Sequence, residues 1–285
     1  MAPRMEPSVD VLALADEIIA GKRLSRADDL SFFRYCELAP LTEGADRLRK
    51  HFSGDYVDLC TIIAGRSGNC GENCKFCAQS AHNHTGCEVY GLYDYDRIFA
   101  EAQANQREGV DRFAIVISGR SPSDEDFDKI VHIYERLHET LKLSLCSSLG
   151  FLSSEQFERL YAAGVRSYHS NIETSRNYFK HICSTHSFED KVANIRRAQA
   201  AGLTVCSGGI FGMGETIDDR IDMALDLCEL GIRSIPLNTL IAIPGTPLEK
   251  LPPLSEAEIL RSIAMFRYVN PESDIRLGAG RRLLA

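Results

Sequence analysis

With 285 residues, the chain suffices for one large α/β domain or two small ones, and its 44 % apolar content can bury a sizeable core. A formal net charge of −8, from 32 basic and 40 acidic side chains, argues against a nucleic-acid partner. The first twenty residues hold no secretory hydrophobic region, and no apolar run approaches the ~18 residues of a membrane span. A cytoplasmic location away from the membrane is therefore expected, with the ten cysteines kept reduced for metal or redox work.

Two helical patterns open the chain, at 9–20 and at 24–35, the second with Ser25 as a cap and Asp28 and Asp29 in its first turn. From about residue 55 the rhythm changes. Short β-branched runs at 57–63, 112–118, 143–146, 167–171, 204–210, 234–241 and 274–277 read as strands. Helical patterns near 95–108, 124–141, 154–163, 187–201, 216–230 and 255–268 separate them. Such alternation predicts an α/β fold, a TIM-type (β/α) barrel of parallel strands at 55–285, with an N-terminal helical extension at 1–54. Seven strands are visible. A closed barrel needs one more strand–helix unit, roughly 20–40 residues, so the chain is expected to stop short of an eighth strand.

Cys70, Cys74 and Cys77 lie on the loop after the first strand. Three thiolates in eight residues can hold three corners of a [4Fe–4S] cluster and leave one iron open for a small molecule. The bland alternative is a zinc site completed by His82, His84 or Cys87. Polar runs at 118–121, 146–150, 171–175, 206–216 and 238–246 end later strands, so in a barrel they converge on the same mouth. Cys36, Cys60 and Cys228 read as small core residues.

The run Glu72-Asn73-Cys74-Lys75-Phe76-Cys77-Ala78-Gln79-Ser80 resembles the biotin synthase family of the radical S-adenosylmethionine (SAM) superfamily. So do Asn171-Ile172-Glu173-Thr174-Ser175, the glycine-rich stretch 205–216, Pro236-Leu237-Asn238, the stretch 244–248 and the stretch 275–281. The resemblance implies that a reduced [4Fe–4S] cluster on Cys70, Cys74 and Cys77 binds SAM and cleaves it to a 5′-deoxyadenosyl radical. That radical takes hydrogen from dethiobiotin, and an auxiliary iron–sulfur cluster donates the sulfur that converts it to biotin. It further implies Phe76, Asn171, Glu173, Lys191, Gly208, Gly209, Gly212 and Glu215 as SAM-binding positions. Asn171 and Asn238 then face dethiobiotin, a flavodoxin or ferredoxin supplies electrons, and the protein is a homodimer.

One departure stands out. The family's auxiliary [2Fe–2S] cluster uses three cysteines and an arginine. Cys146, Cys206 and Arg276 match three of these positions, but the fourth is Ala114. Cys183 is the expected replacement, in an altered cluster that is [2Fe–2S] or larger. Two alternatives stay open: another enzyme of the same branch, similar to the hydrogenase maturases, or a non-catalytic iron–sulfur or zinc protein.

Overall fold

The computed structural model describes residues 9–284, so the first eight residues of the expected extension lie outside the described residues. Its sheet comprises β1 (Cys60–Arg66), β2 (Arg112–Ile117), β3 (Ser144–Ser148), β4 (Val165–His169), β5 (Thr204–Cys206), β6 (Gly209–Phe211), β7 (Ser234–Thr239) and β8 (Asp274–Leu277). Every ladder is parallel, and neighbours follow chain order from β1 to β5; β7 then pairs with β5, β6 and β8. β5 and β6 are two pieces of the single strand expected at 204–210. Eight ladder segments therefore occupy seven strand positions, curled part-way into a TIM-type barrel, with no ladder joining β8 to β1 among the described residues.

The break between β5 and β6 has a steric cause. A Cβ on Gly208 would stand 1.9 Å from the Pro236 carbonyl oxygen, and one on Gly209 would stand 2.3 Å from that of Glu173. The two glycines let the chain cross between its neighbours, and Ile210 N–H picks up the Glu173 carbonyl at 2.8 Å.

Outside the sheet lie α3 (Tyr95–Arg107), α4 (Asp124–Thr140), α5 (Ser154–Ala162), α6 (Arg176–Ile182), α7 (Phe188–Ala200), α8 (Ile217–Glu229) and α9 (Glu256–Val269). Ser153, Ser187, Thr216 and Ser255 cap α5, α7, α8 and α9 in reciprocal capping boxes, which fixes where each crossover helix begins. α6 had no counterpart among the expected helices; at seven residues it is too short for a periodic signal. No helix among the described residues is long and apolar enough to cross a membrane.

The N-terminal region differs from expectation beyond α1 (Val11–Ile19). The stretch 24–35 forms only a short 3₁₀ turn at Ser31–Arg34. The Asp28 carboxylate accepts from the backbone and hydroxyl of Ser25, and Asp29 accepts from Ser31 N–H, so both acids fold turns rather than start a helix. The second helix is instead α2 (Leu38–Phe52). Pro40 falls in its first turn, where no backbone donor is missed. Gly44 faces Tyr268 of α9 so closely that a Cβ would lie 1.8 Å from the phenolic oxygen. β1 begins three residues later than expected, because its span is set by pairing with β2, where Cys60 lies opposite Arg112.

Candidate active site

Beyond β1 the chain folds back on itself over the barrel mouth. Cys70 N–H donates to the Gln79 carbonyl at 2.9 Å, and the Cys70 carbonyl accepts from Ala81 N–H at 2.8 Å. The Asn83 amide donates to the carbonyls of Cys74 (3.2 Å) and Cys77 (2.8 Å), and the Ser80 hydroxyl donates to that of Glu72 (2.7 Å). Much of the loop's polar backbone is thus paired within the loop, Lys75 N–H donates outward to the Ile182 carbonyl at 2.9 Å, and the three thiols stay half-buried.

The loop between α6 and α7 docks against it. The carboxylate of Glu72, largely buried, accepts from the Thr185 hydroxyl (2.6 Å), from Arg120 (3.2 Å) and from the His186 ring. Burial alone would raise its pKa, but these bonds outweigh it and hold the carboxyl below its ordinary range. Asn73 accepts from Ser184 N–H at 2.9 Å. Cys183, expected from the sequence as an auxiliary ligand, is carried into this corner: Cys74 Sγ donates to Cys183 Sγ at 3.8 Å, and His186 Nδ1 lies 3.3 Å from the same sulfur. The shared bond holds the Cys74 thiol above, and the Cys183 thiol below, the usual cysteine range. Cys74, Cys183 and His186 are the one compact group of three metal-capable donors among the described residues. His82, by contrast, pairs with the Gly71 carbonyl at 3.1 Å, and Cys87 with the Ser67 hydroxyl at 3.6 Å, so the earlier zinc candidates do not converge.

Residues from β4 to α7 supply the next wall. Glu173 takes a left-handed backbone (φ +69°) at the strand end, and its side chain lies 3.4 Å from the Asn171 amide. Burial pushes the Glu173 carboxyl up, and nearby Lys191 in the first turns of α7 opposes that push. The Lys191 ammonium rests 5.3 Å from the centre of the Phe151 ring. Phe76 is half-buried against the apolar core. Asn171, Glu173 and Lys191 thus lie near one another in this wall.

Four others make bonds or contacts within the protein itself. Both Glu215 oxygens turn back into its own loop, accepting from Gly212 N–H and Met213 N–H at 2.7 Å each, and from Arg220 at 2.8 Å. Glu215 therefore shapes the glycine loop and has its carboxylate occupied. Gly208 and Gly209 are required by neighbouring backbone, as described above. Asn238 donates to the Gly209 carbonyl (3.3 Å) and accepts from Ala279 N–H (2.9 Å), which leaves one amide hydrogen and one lone pair for a ligand.

Below the mouth, inside the sheet, Arg276 donates to Asp58 (2.9 Å) and to the Ser234 hydroxyl (2.8 Å), and that hydroxyl donates to Cys206 Sγ at 3.3 Å. Cys146 is buried nearby, where burial first and the neighbouring Cys206 second push its thiol up.

Two family models match consecutive parts of the chain: the Radical SAM superfamily over residues 66–227, and the Biotin and Thiamin Synthesis associated domain over residues 236–285. A biotin synthase of Clostridium beijerinckii is 54 % identical over 94 % of this chain and 85 % of its own length. One of Alkaliphilus metalliredigens is 50 % identical over 97 % and 87 %. The chain belongs to the biotin synthase family. Solved structures share the fold at low identity: methylornithine synthase, with a TM-score of 0.81 at 23 % identity over 92 % of this chain and 78 % of its own. The hydrogenase maturase HydG gives 0.79 at 18 % over 95 % and 63 %.

For a biotin synthase-family chain, the cysteine inventory holds two corrections. Cys228 is exposed on α8, and Cys60 is exposed rather than core. On β1 the residues Cys60, Ile62 and Ala64 face the hollow inside of the curled sheet, and Ile62 is 67 % exposed there, whereas the buried Gly65 faces Ile115 and Leu92. Sequence reasoning missed Cys60 because a cysteine in a strand carries no sign of which face it will take.

Proposed function

We propose that this chain performs the sulfur insertion that converts dethiobiotin to biotin. The observation carrying this reading is the three-cysteine loop closed over a barrel mouth whose floor holds a separate thiol–arginine group. Cys70, Cys74 and Cys77 would hold a [4Fe–4S] cluster: their thiols are half-buried, and nearby histidine and cysteine donors are already engaged. Glu173, Asn171 and Lys191 would hold SAM, the first two through ribose hydroxyls and the last through the carboxylate. When bound, the reduced cluster and SAM supply a 5′-deoxyadenosyl radical for hydrogen abstraction, and the auxiliary cluster supplies sulfur. The work of the protein is positional. The internal bonding of residues 68–85 fixes the thiols, Glu72 clamps the loop to residues 183–186, and Asn238 offers paired amide donor and acceptor capacity to the ureido ring. A flavodoxin or ferredoxin as electron donor, a homodimer and a cytoplasmic location belong to the same proposal.

The test is anaerobic incubation of reconstituted protein with SAM, reductant and dethiobiotin. Biotin should form together with 5′-deoxyadenosine. 5′-Deoxyadenosine without biotin would assign another substrate, and neither product would overturn the reading. One second reading has an observation behind it: the convergence of Cys74, Cys183 and His186 suits a mononuclear zinc ion, which would leave the protein colourless and zinc-loaded.

A further inference from the structure

Inward side chains of the curled sheet follow its shear. Cys60 of β1 lies opposite Arg112 of β2, and Arg112 opposite Ser144 of β3. Cys146 stands two residues beyond Ser144 and opposite Ser167 of β4. Thr204 of β5 lies opposite Ser167, and Cys206 stands two residues beyond it. Cys206 is opposite Ser234 of β7, Ser234 is opposite Asp274 of β8, and Arg276 stands two residues beyond Asp274. Alternate strand positions therefore each contribute one side chain, stepped by two residues each time. A (β/α) barrel builds one interior layer of four side chains in this way. The layer here is Cys60, Cys146, Cys206 and Arg276.

Resting on the sulfur-insertion reading above, we propose that Cys60 supplies the third thiolate of the auxiliary cluster, beside Cys146, Cys206 and Arg276. Ala114, where a thiol was expected, lies opposite both Ile62 and Cys146 and offers only a methyl group. Cys183 sits elsewhere, 3.8 Å from Cys74 in the loop corner. Several features fit a cluster in the layer. Arg276 lies beside Cys60 and reaches Cys206 through the Ser234 hydroxyl. The Arg112 guanidinium donates to the Ser167 hydroxyl at 2.6 Å, while its Nε is buried without a partner. Asp58 accepts from both arginines. Cys60 is also exposed toward the hollow interior, where iron and sulfide can reach it.

The test compares the full-length wild type, Cys60→Ser and Cys183→Ser after anaerobic reconstitution. Iron and sulfide per chain, Mössbauer spectra and SAM cleavage are read together. Cys60→Ser should lose the auxiliary iron yet keep the [4Fe–4S] cluster and SAM cleavage, and Cys183→Ser should keep both clusters. Unchanged iron and spectra in Cys60→Ser, or loss of the auxiliary iron in Cys183→Ser, overturn the assignment. Alkylation of wild-type protein gives a measure independent of variant folding: Cys60 should react in cluster-free protein and be protected after loading. Equal reactivity in both states also overturns it. A wild type that never acquires a second cluster sinks the sulfur-insertion reading itself, a result distinct from two clusters that ignore Cys60.

Discussion

The two thiol groups of this molecule are built by opposite means. Cys70, Cys74 and Cys77 are neighbours in sequence, held by a loop with its own hydrogen bonds within residues 68–85 and docked through Glu72 and Asn73 to residues 183–186. Cys60, Cys146, Cys206 and Arg276 are spread over more than two hundred residues and meet only because strand register stacks them in one layer. A loop-borne group is specified by spacing and can be re-docked by changing a few side chains. A strand-borne group is specified by the sheet, and nothing short of a ligand change or a register change alters it.

That contrast is broken most directly at the ligands. Cys74→Ser should abolish SAM cleavage and remove the loop cluster while the auxiliary iron stays; Cys206→Ser should do the reverse, with iron analysis and Mössbauer spectra as the check. If either change empties both groups, the two are not independent. A smaller effect is expected where the regions touch. Gly209→Ala places a methyl group against the Glu173 carbonyl and the Met223 sulfur and should destabilise the fold by about 1–3 kcal/mol, seen as a lowered Tm and weaker SAM binding through the displaced Glu173.

Glu72→Gln should loosen the loop alone, costing about 1–2 kcal/mol of docking, seen as faster hydrogen exchange at 70–85 and 183–186 with the sheet unchanged. The same contact has a pH signature. Because the folded Glu72 carboxyl sits below its ordinary value, its stabilisation is fully present above that ordinary value and is lost as pH falls through the depressed one. Acid should therefore free the loop, and Glu72→Gln should flatten that pH dependence. The smallest effect belongs to the outer surface: Arg34→Ala breaks the exposed pair with Asp218 and should change stability by only about 0–1 kcal/mol in a denaturant titration.

Legibility in the sequence followed the same division. The CxxxCxxC spacing and the strand–helix alternation are local signals, and the structure contains the single cysteine loop and the parallel strands they mark, whereas the one cap read from the sequence, Ser25, starts no helix. Pro40 and Gly44 hid α2, because a first-turn proline and a glycine under Tyr268 look like breakers until the partner helix is seen. Cys183 was expected beside Cys146 and Cys206 as the replacement for the position held by Ala114, and the Asn73 and Glu72 contacts draw its loop to Cys74.

The order of residues alone determined that three thiols would share one loop and that parallel strands would alternate with helices, since both are set by local spacing and periodicity. Only the tertiary structure decided that Cys60 joins Cys146, Cys206 and Arg276, and that Glu215 serves its own loop. Barrel shear and hydrogen-bond competition act between segments far apart in the chain, and no local pattern records them.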